Sequence, residues 1–200
     1  MLNISKIQLI LIKMSKIDCI VPGNITQAVI YCRKSTNDKL SNSSLNRQRQ
    51  LCEEFAKKQK ILINKKKCVY NDICSAFTGK QEKLHNLVNS IDENTIIFVE
   101  DMSRFSRNIE NGNSILEKIT QKNCSVFFIG DNHCHTKNKK SHKKTNKLLK
   151  INYEISKKSS NRMKNIIKFR KSQGFHWGRC PLGYNSFYNK NGIRKITKCL

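Results

Sequence analysis

Short, continuously apolar runs alternate along the chain with longer segments in which apolar residues recur every three or four positions. The runs AVIYCR (28–33), KCVYND (67–72), TIIFVED (95–101) and CSVFFIG (124–130) read as strands. Between them, residues 45–60, 83–91 and 106–122 carry helical spacing, and the last aligns Ile109, Gly112, Ile115, Leu116 and Ile119 on one face. Strands without polar alternation are buried on both faces. The expected fold class is therefore α/β over residues 27–131, a mostly parallel sheet flanked by helices.

Beyond that domain the texture changes. Residues 132–146 show no apolar period and read as a mobile basic loop. From 147 to 173, Leu148, Ile151, Ile155, Met163, Ile166 and Ile167 form a stripe, which predicts one long basic helix, weakened at Ser159 and Ser160 and stopped by Gly174. In 174–200, NKNG between SFY and IRKI is a hairpin signal, in a segment too short for another folded domain. Residues 1–26 read as a disordered extension, with Met1 or Met14 as the start; its apolar stretch is too short for a secretory or membrane segment. The chain is thus expected to be soluble and intracellular, with no membrane partner.

Charge sharpens the picture. Lys and Arg number 39 against 14 Asp and Glu, a formal +25, which calls for a polyanionic partner, nucleic acid before an acidic membrane. Residues 132–174 hold 14 Lys or Arg and a single acid, Glu154. An ordinary solvated helix mixes both signs, so Lys157, Lys158, Arg162, Lys164, Lys168, Arg170 and Lys171, with Arg179 beyond, are the expected DNA contacts. Nine scattered cysteines without a C-x-x-C pair fit reduced thiols. His133, Cys134 and His135 lack a second half-site, so no metal centre is expected there.

Candidate chemistry sits at two strand ends. In VIYCRKST, alternation puts Tyr31, Arg33 and Ser35 on one face. That suits a nucleophilic hydroxyl meeting a phosphate beside a fixed guanidinium, and it also suits a plain strand end with a surface Arg and a capping Ser, the commoner arrangement. In EDMSRFSRN, Ser103 or Ser106 is an expected N-cap, with Arg104 and Arg107 on one face of the helix start. Parallel strands bring both ends to the same carboxyl edge, where ligands gather. Arg33, Arg104 and Arg107 would then surround Ser35 and stabilise charge on a phosphodiester under attack, without a metal or other cofactor.

These segments resemble the serine recombinases, the resolvase and invertase family, and the large recombinase and transposase branch in particular. Y-x-R-x-S at Tyr31 to Ser35 is similar to the family's catalytic motif, and SRFSR to its second arginine motif. SLNRQ ending at Gln48, NDICSAF with Asp72 and Ser75, and GRCPLGY after the long helix follow in the family's order. The resemblance implies a resolvase-like catalytic domain that cuts and rejoins duplex DNA through a 5′-phosphoserine link without metal or ATP. Members act as dimers that synapse into tetramers. Ser35 would be the nucleophile, Arg33, Arg104 and Arg107 the transition-state clamp, and Tyr31, Gln48, Asp72 and Ser75 supporting residues. The helix at 147–173 would serve dimerisation and DNA contact, and 174–200 would be a short remnant of a C-terminal DNA-binding region. The pattern departs at Gln81, where an arginine is common. The alternative is a catalytically inactive or truncated relative acting as a basic DNA-binding protein, with site choice supplied by a partner protein. Integration, inversion, resolution and transposition all remain open.

Overall fold

Four parallel strands and one antiparallel edge strand build the central sheet of this computed structural model, which describes residues 25, 27–34, 43–63, 69–73, 81–176, 178–190 and 194–198. The strands are β1 (Gln27–Lys34), β2 (Val69–Ile73), β3 (Thr95–Val99), β4 (Ser125–Phe128) and β5 (His133–His135), in the order β2-β1-β3-β4-β5. β5 alone runs antiparallel, against β4. The helices are α1 (Ser43–Lys58), α2 (Glu82–Ser90), α3 (Met102–Phe105), α4 (Ile109–Gln121) and α5 (Lys139–Ser172). Two compact units divide the chain between Tyr153 and Glu154.

The uninterrupted apolar strands conceal an alternation of two faces. Val29 and Tyr31 of β1, Ile97 and Val99 of β3, and Val126 and Phe128 of β4 share one core cluster with α2, α4 and Leu149 of α5. Ala28, Ile30, Cys32, Ile96, Phe98 and Phe127 share the other with α1, through Leu51, Cys52, Phe55 and Ala56. Helices on both faces bury every second residue on each side, so the sequence shows no polar partner. Phe55 stacks on Phe127 at 4.7 Å and meets Phe98 edge-on at 5.4 Å, which fixes α1 on its face.

The mobile basic loop expected over 132–146 is not what the structure holds. Asn132 turns the chain at φ 43°, and β5 pairs Phe128 with His133 and Val126 with His135. The Asn138 side chain then accepts from the Lys140 N–H at 3.0 Å, and α5 starts at Lys139, eight positions before the expected 147. This first part of α5 attaches through only two buried side chains, Thr145 and Leu149, too few to show as a stripe. The Thr145 hydroxyl donates to the Ser141 carbonyl at 3.0 Å, so it accepts from both His133 Nε2 at 2.7 Å and His135 Nδ1 at 2.8 Å. His135 Nε2 is left buried and without a partner.

Leu149 lies over Gly112 of α4, where a Cβ would approach its Cδ2 to 3.0 Å; the missing side chain is what lets the two helices meet. Leu149→Ala should cost about 3 kcal/mol, the scale of a fully buried leucine truncated into a cavity. Urea unfolding checks this, and a loss below about 1 kcal/mol would show that Leu149 does not anchor α5.

The second unit contains the rest of α5 and a hairpin. Gly174 at φ 76° ends the helix, with the Phe175 N–H on the Arg170 carbonyl and the Gly174 N–H on the Lys171 carbonyl, both at 3.0 Å. β6 (Tyr184–Tyr188) and β7 (Arg194–Lys198) pair antiparallel, from Tyr184 with Lys198 to Tyr188 with Arg194. Among the described residues no helix is long and apolar enough to cross a membrane.

Candidate active site

The carboxyl ends of β1 and β3 lie side by side, with Tyr31 opposite Val99. Tyr31 and Arg33 extend to the α3 side of the sheet. The Arg33 guanidinium is buried and donates through Nε to the Arg104 carbonyl and through an Nη to the Ser103 carbonyl, both at 2.9 Å. These are terminal carbonyls of a single helical turn, which otherwise lack partners. On the backbone side, the Gln48 side chain of α1 completes the strand: its Oε1 accepts from the Arg33 N–H at 3.2 Å and its Nε2 donates to the Arg33 carbonyl at 3.1 Å. One amide thus imitates a neighbouring strand and ties α1 to the Arg33 backbone.

Asp72 of β2 stands in register with Arg33. Its carboxylate accepts from the Tyr31 hydroxyl at 3.0 Å and from the backbone N–H groups of Lys83 and Leu84, each at 3.1 Å. It therefore caps α2 from a neighbouring strand, while Gln81, the residue in the capping position, makes no capping bond of its own. Gln81 turns inward instead: its Nε2 donates to the Tyr31 hydroxyl at 3.1 Å and to the Phe105 carbonyl at 2.5 Å, and its Oε1 accepts from Asn111 Nδ2 at 3.2 Å. Burial, then the Asp72 carboxylate, pushes the Tyr31 phenol pKa up, so Tyr31 stays a neutral donor. Cys32 beside it is pushed up to about 12, chiefly by burial, which makes it an inert core thiol.

The second arginine segment differs from the expectation. Neither Ser103 nor Ser106 is an N-cap, and Arg104 and Arg107 do not share a helix start. Asp101 caps α3, its Oδ1 accepting from the Arg104 N–H at 3.0 Å and from Ser103 Oγ at 2.6 Å. Ser106 is extended, at φ −155° and ψ 149°, and Asn108 caps α4 through the Asn111 N–H at 2.9 Å. A carboxylate and an amide win these positions as strong capping acceptors for the free N–H groups. Arg104 thus sits in α3, and Arg107 in the extended link to α4.

Glu100 supplies the remaining geometry. Its carboxylate bridges two guanidiniums, Arg47 of α1 at 2.5 Å and Arg104 at 3.2 Å. Arg47 and Glu100 escaped the sequence reading because they lie 53 positions apart, and no local pattern links them. The half-buried Arg107 has no hydrogen-bond or ion-pair partner among the described residues. The structure therefore brings together Tyr31, Arg33, Gln48, Asp72 and Arg104, with Arg107 on the adjoining link; Ser35 and Ser75 lie outside the described residues. Among the described residues no three His, Cys, Asp or Glu side chains group as a metal site.

The expected DNA contacts are all exposed. On α5, Lys157, Lys164, Lys168 and Lys171 recur at helical spacing along one stripe, Lys158 and Arg162 lie to one side, and Arg170 to the other. Arg179 follows the helix.

Comparison with known proteins adds the following. The family model described as Resolvase, N terminal domain matches residues 28–176. No curated protein matches the sequence. Among solved structures, the N-terminal catalytic domain of TP901-1 integrase is similar at 16% identity and a TM-score of 0.49, over 67% of this chain and 98% of that one. A resolvase family site-specific recombinase from Streptococcus pneumoniae is similar at 20% identity and a TM-score of 0.45, over 74% of this chain and 98% of that one.

Proposed function

The chain belongs to the resolvase N-terminal domain family, and from that membership we propose that it is a site-specific DNA recombinase that cuts and rejoins duplex DNA through Ser35. The Ser35 oxygen attacks a backbone phosphorus; the P–O3′ bond breaks, a 5′-phosphoserine ester forms, and the 3′-hydroxyl leaves with a proton. The ester conserves the energy of the broken bond, so attack by a 3′-hydroxyl reverses the step without ATP. Negative charge grows on the phosphoryl oxygens during attack, and planar guanidiniums in fixed positions stabilise it.

The observation that carries this reading is the convergence at the carboxyl edge of the sheet. Arg33, two residues before Ser35, grips the carbonyls of Ser103 and Arg104, so the strand preceding the nucleophile and the turn bearing Arg104 move as one. Arg107 follows on the same link, with no partner among the described residues and half exposed, as an arginine awaiting a phosphate would be. Tyr31, Gln48 and Asp72 hold this edge in shape, and Ser75 is assigned a supporting role from its motif.

Duplex DNA is the partner we assign to the basic residues of α5 and to Arg179. Ile155, Met163 and Phe169 are exposed on the same helix, and a second copy of the chain covering them gives the dimer, two of which synapse. The inactive-relative reading rests on Gln81, which takes the place of an expected arginine.

Covalent trapping tests the proposal. Purified protein incubated with DNA flanking its own gene, with chelator present, should give a denaturation-resistant protein–DNA adduct that is lost in Ser35→Ala. Salt-sensitive DNA binding without any wild-type adduct would replace the recombinase reading with the inactive relative.

A further inference from the structure

Gln81 enters the sequence as a gap, a neutral residue where an arginine is expected, yet it is 2% exposed and both of its side-chain polar atoms are engaged. The three partners belong to three elements: Tyr31 of β1, Phe105 of α3 and Asn111 of α4. The hydrogen bonds run in one direction, from Asn111 Nδ2 to Gln81 Oε1, from Gln81 Nε2 to the Tyr31 hydroxyl, and from that hydroxyl to Asp72 Oδ2. Asp72 closes the loop by capping α2, the helix that Gln81 precedes. A relay with a single donor direction and a neutral phenol in the middle has one arrangement of protons, and each bond reinforces the next.

The branch that leaves this relay matters most. Through its second N–H, Gln81 holds the Phe105 carbonyl, while Arg33 holds the two carbonyls before it, those of Ser103 and Arg104. Three consecutive carbonyls at the end of α3 are thus gripped by two side chains from outside the turn. The turn carries Arg104, and the link leaving it carries Arg107.

We infer that Gln81 is a positioning residue: it locks the turn that bears Arg104 and leads into the Arg107 link onto β1 in the geometry the phosphate needs, and it touches neither DNA nor the reacting atoms. The inference builds on the recombinase reading above for what the turn does, and on the hydrogen-bond geometry alone for what Gln81 holds. An arginine at this position would keep donors for Tyr31 and Phe105. It would also lose the acceptor for Asn111 and bring a charge into a closed pocket.

The test uses the full chain with Gln81→Met, which keeps the length and removes all three bonds, and Asn111→Ala, which removes only the bond orienting the amide. Adduct formation is timed at saturating duplex DNA, at a temperature where each variant is fully folded, alongside DNA affinity. A misplaced turn should slow Gln81→Met by about 100-fold and Asn111→Ala by about fivefold, with unchanged DNA affinity. Gln81→Arg should not exceed the wild-type rate. Wild-type rates in folded Gln81→Met, losses that only track the folded fraction, or a faster Gln81→Arg would each overturn the inference. If wild type forms no adduct, the recombinase reading fails by itself and the Arg33 Nε–H proton decides. Its exchange with solvent should accelerate about tenfold in Gln81→Met, and an unchanged exchange rate overturns the inference. Should Gln81→Met not fold, Asn111→Ala decides by the same two readouts.

Discussion

Lowering the pH from 7 to 5 is expected to remove about 4 kcal/mol from the unfolding free energy, through two histidines that contact no DNA. His133 and His135 both donate to the Thr145 hydroxyl under the start of α5. Burial first, and then Lys144, lowers the His133 pKa to about 4; burial first, and then His142 and His133, lowers that of His135 to about 3. Both folded values lie below the ordinary value of 6.5, so the unfolded chain binds more protons between them. Stability is complete above the unfolded pKa and is lost as pH falls below it, at about 1.4 kcal/mol per histidine per pH unit. Denaturant unfolding across that range measures the slope. His133→Gln and His135→Asn place an amide donor near each bonded nitrogen, so each should halve the slope and the pair abolish it. A flat profile in the wild type would mean that these imidazoles are solvated or find acceptors.

Asp72→Ala should cost on the order of 4 kcal/mol. The carboxylate satisfies three donors, the Tyr31 hydroxyl and the N–H groups of Lys83 and Leu84, and alanine orphans all of them in a mostly closed space. A hydrogen bond to a charged group contributes roughly 1.5–3 kcal/mol, and a stranded donor adds its desolvation cost. Tyr31→Phe removes one of these three bonds and also the one from Gln81 Nε2, and should cost about 2 kcal/mol. Denaturant unfolding gives both values, and amide exchange at Lys83 and Leu84 should accelerate in Asp72→Ala alone. A change below about 1 kcal/mol in Asp72→Ala would mean that water replaces the carboxylate.

The parts legible in the sequence were those whose signal is local and repeated. Runs such as TIIFV declare a strand buried on both faces, and Ile115, Leu116 and Ile119 declare a helix. β5 was not legible because three residues, His133 to His135, are too few to show a period, and their burial comes from β4 and Thr145 rather than from hydrophobicity. The early start of α5 was hidden because its buried positions, Thr145 and Leu149, lie in a run of lysines. At the site, Tyr31, Arg33, Gln48 and Asp72 were found as motif letters, but their purpose was not visible. Glu100 between Arg47 and Arg104 depends on the pairing of distant elements, which no window of sequence contains. The pattern DMSRF did hold a usable hint: an Asp, as good a cap as either serine, stands directly ahead of the turn.

The grip on the α3 turn has a consequence for how freely this sequence can drift. Arg33 addresses the carbonyls of Ser103 and Arg104, Gln81 that of Phe105, Gln48 the main chain of Arg33, and Asp72 the amides of Lys83 and Leu84. Each of these particular bonds ends on backbone, and backbone is the same whatever side chain it carries. Mutations at Ser103 or Lys83 therefore leave these bonds intact, whereas those at Arg33, Gln48, Asp72 and Gln81 remove them. A lineage can vary most letters around such a frame while its geometry stays still.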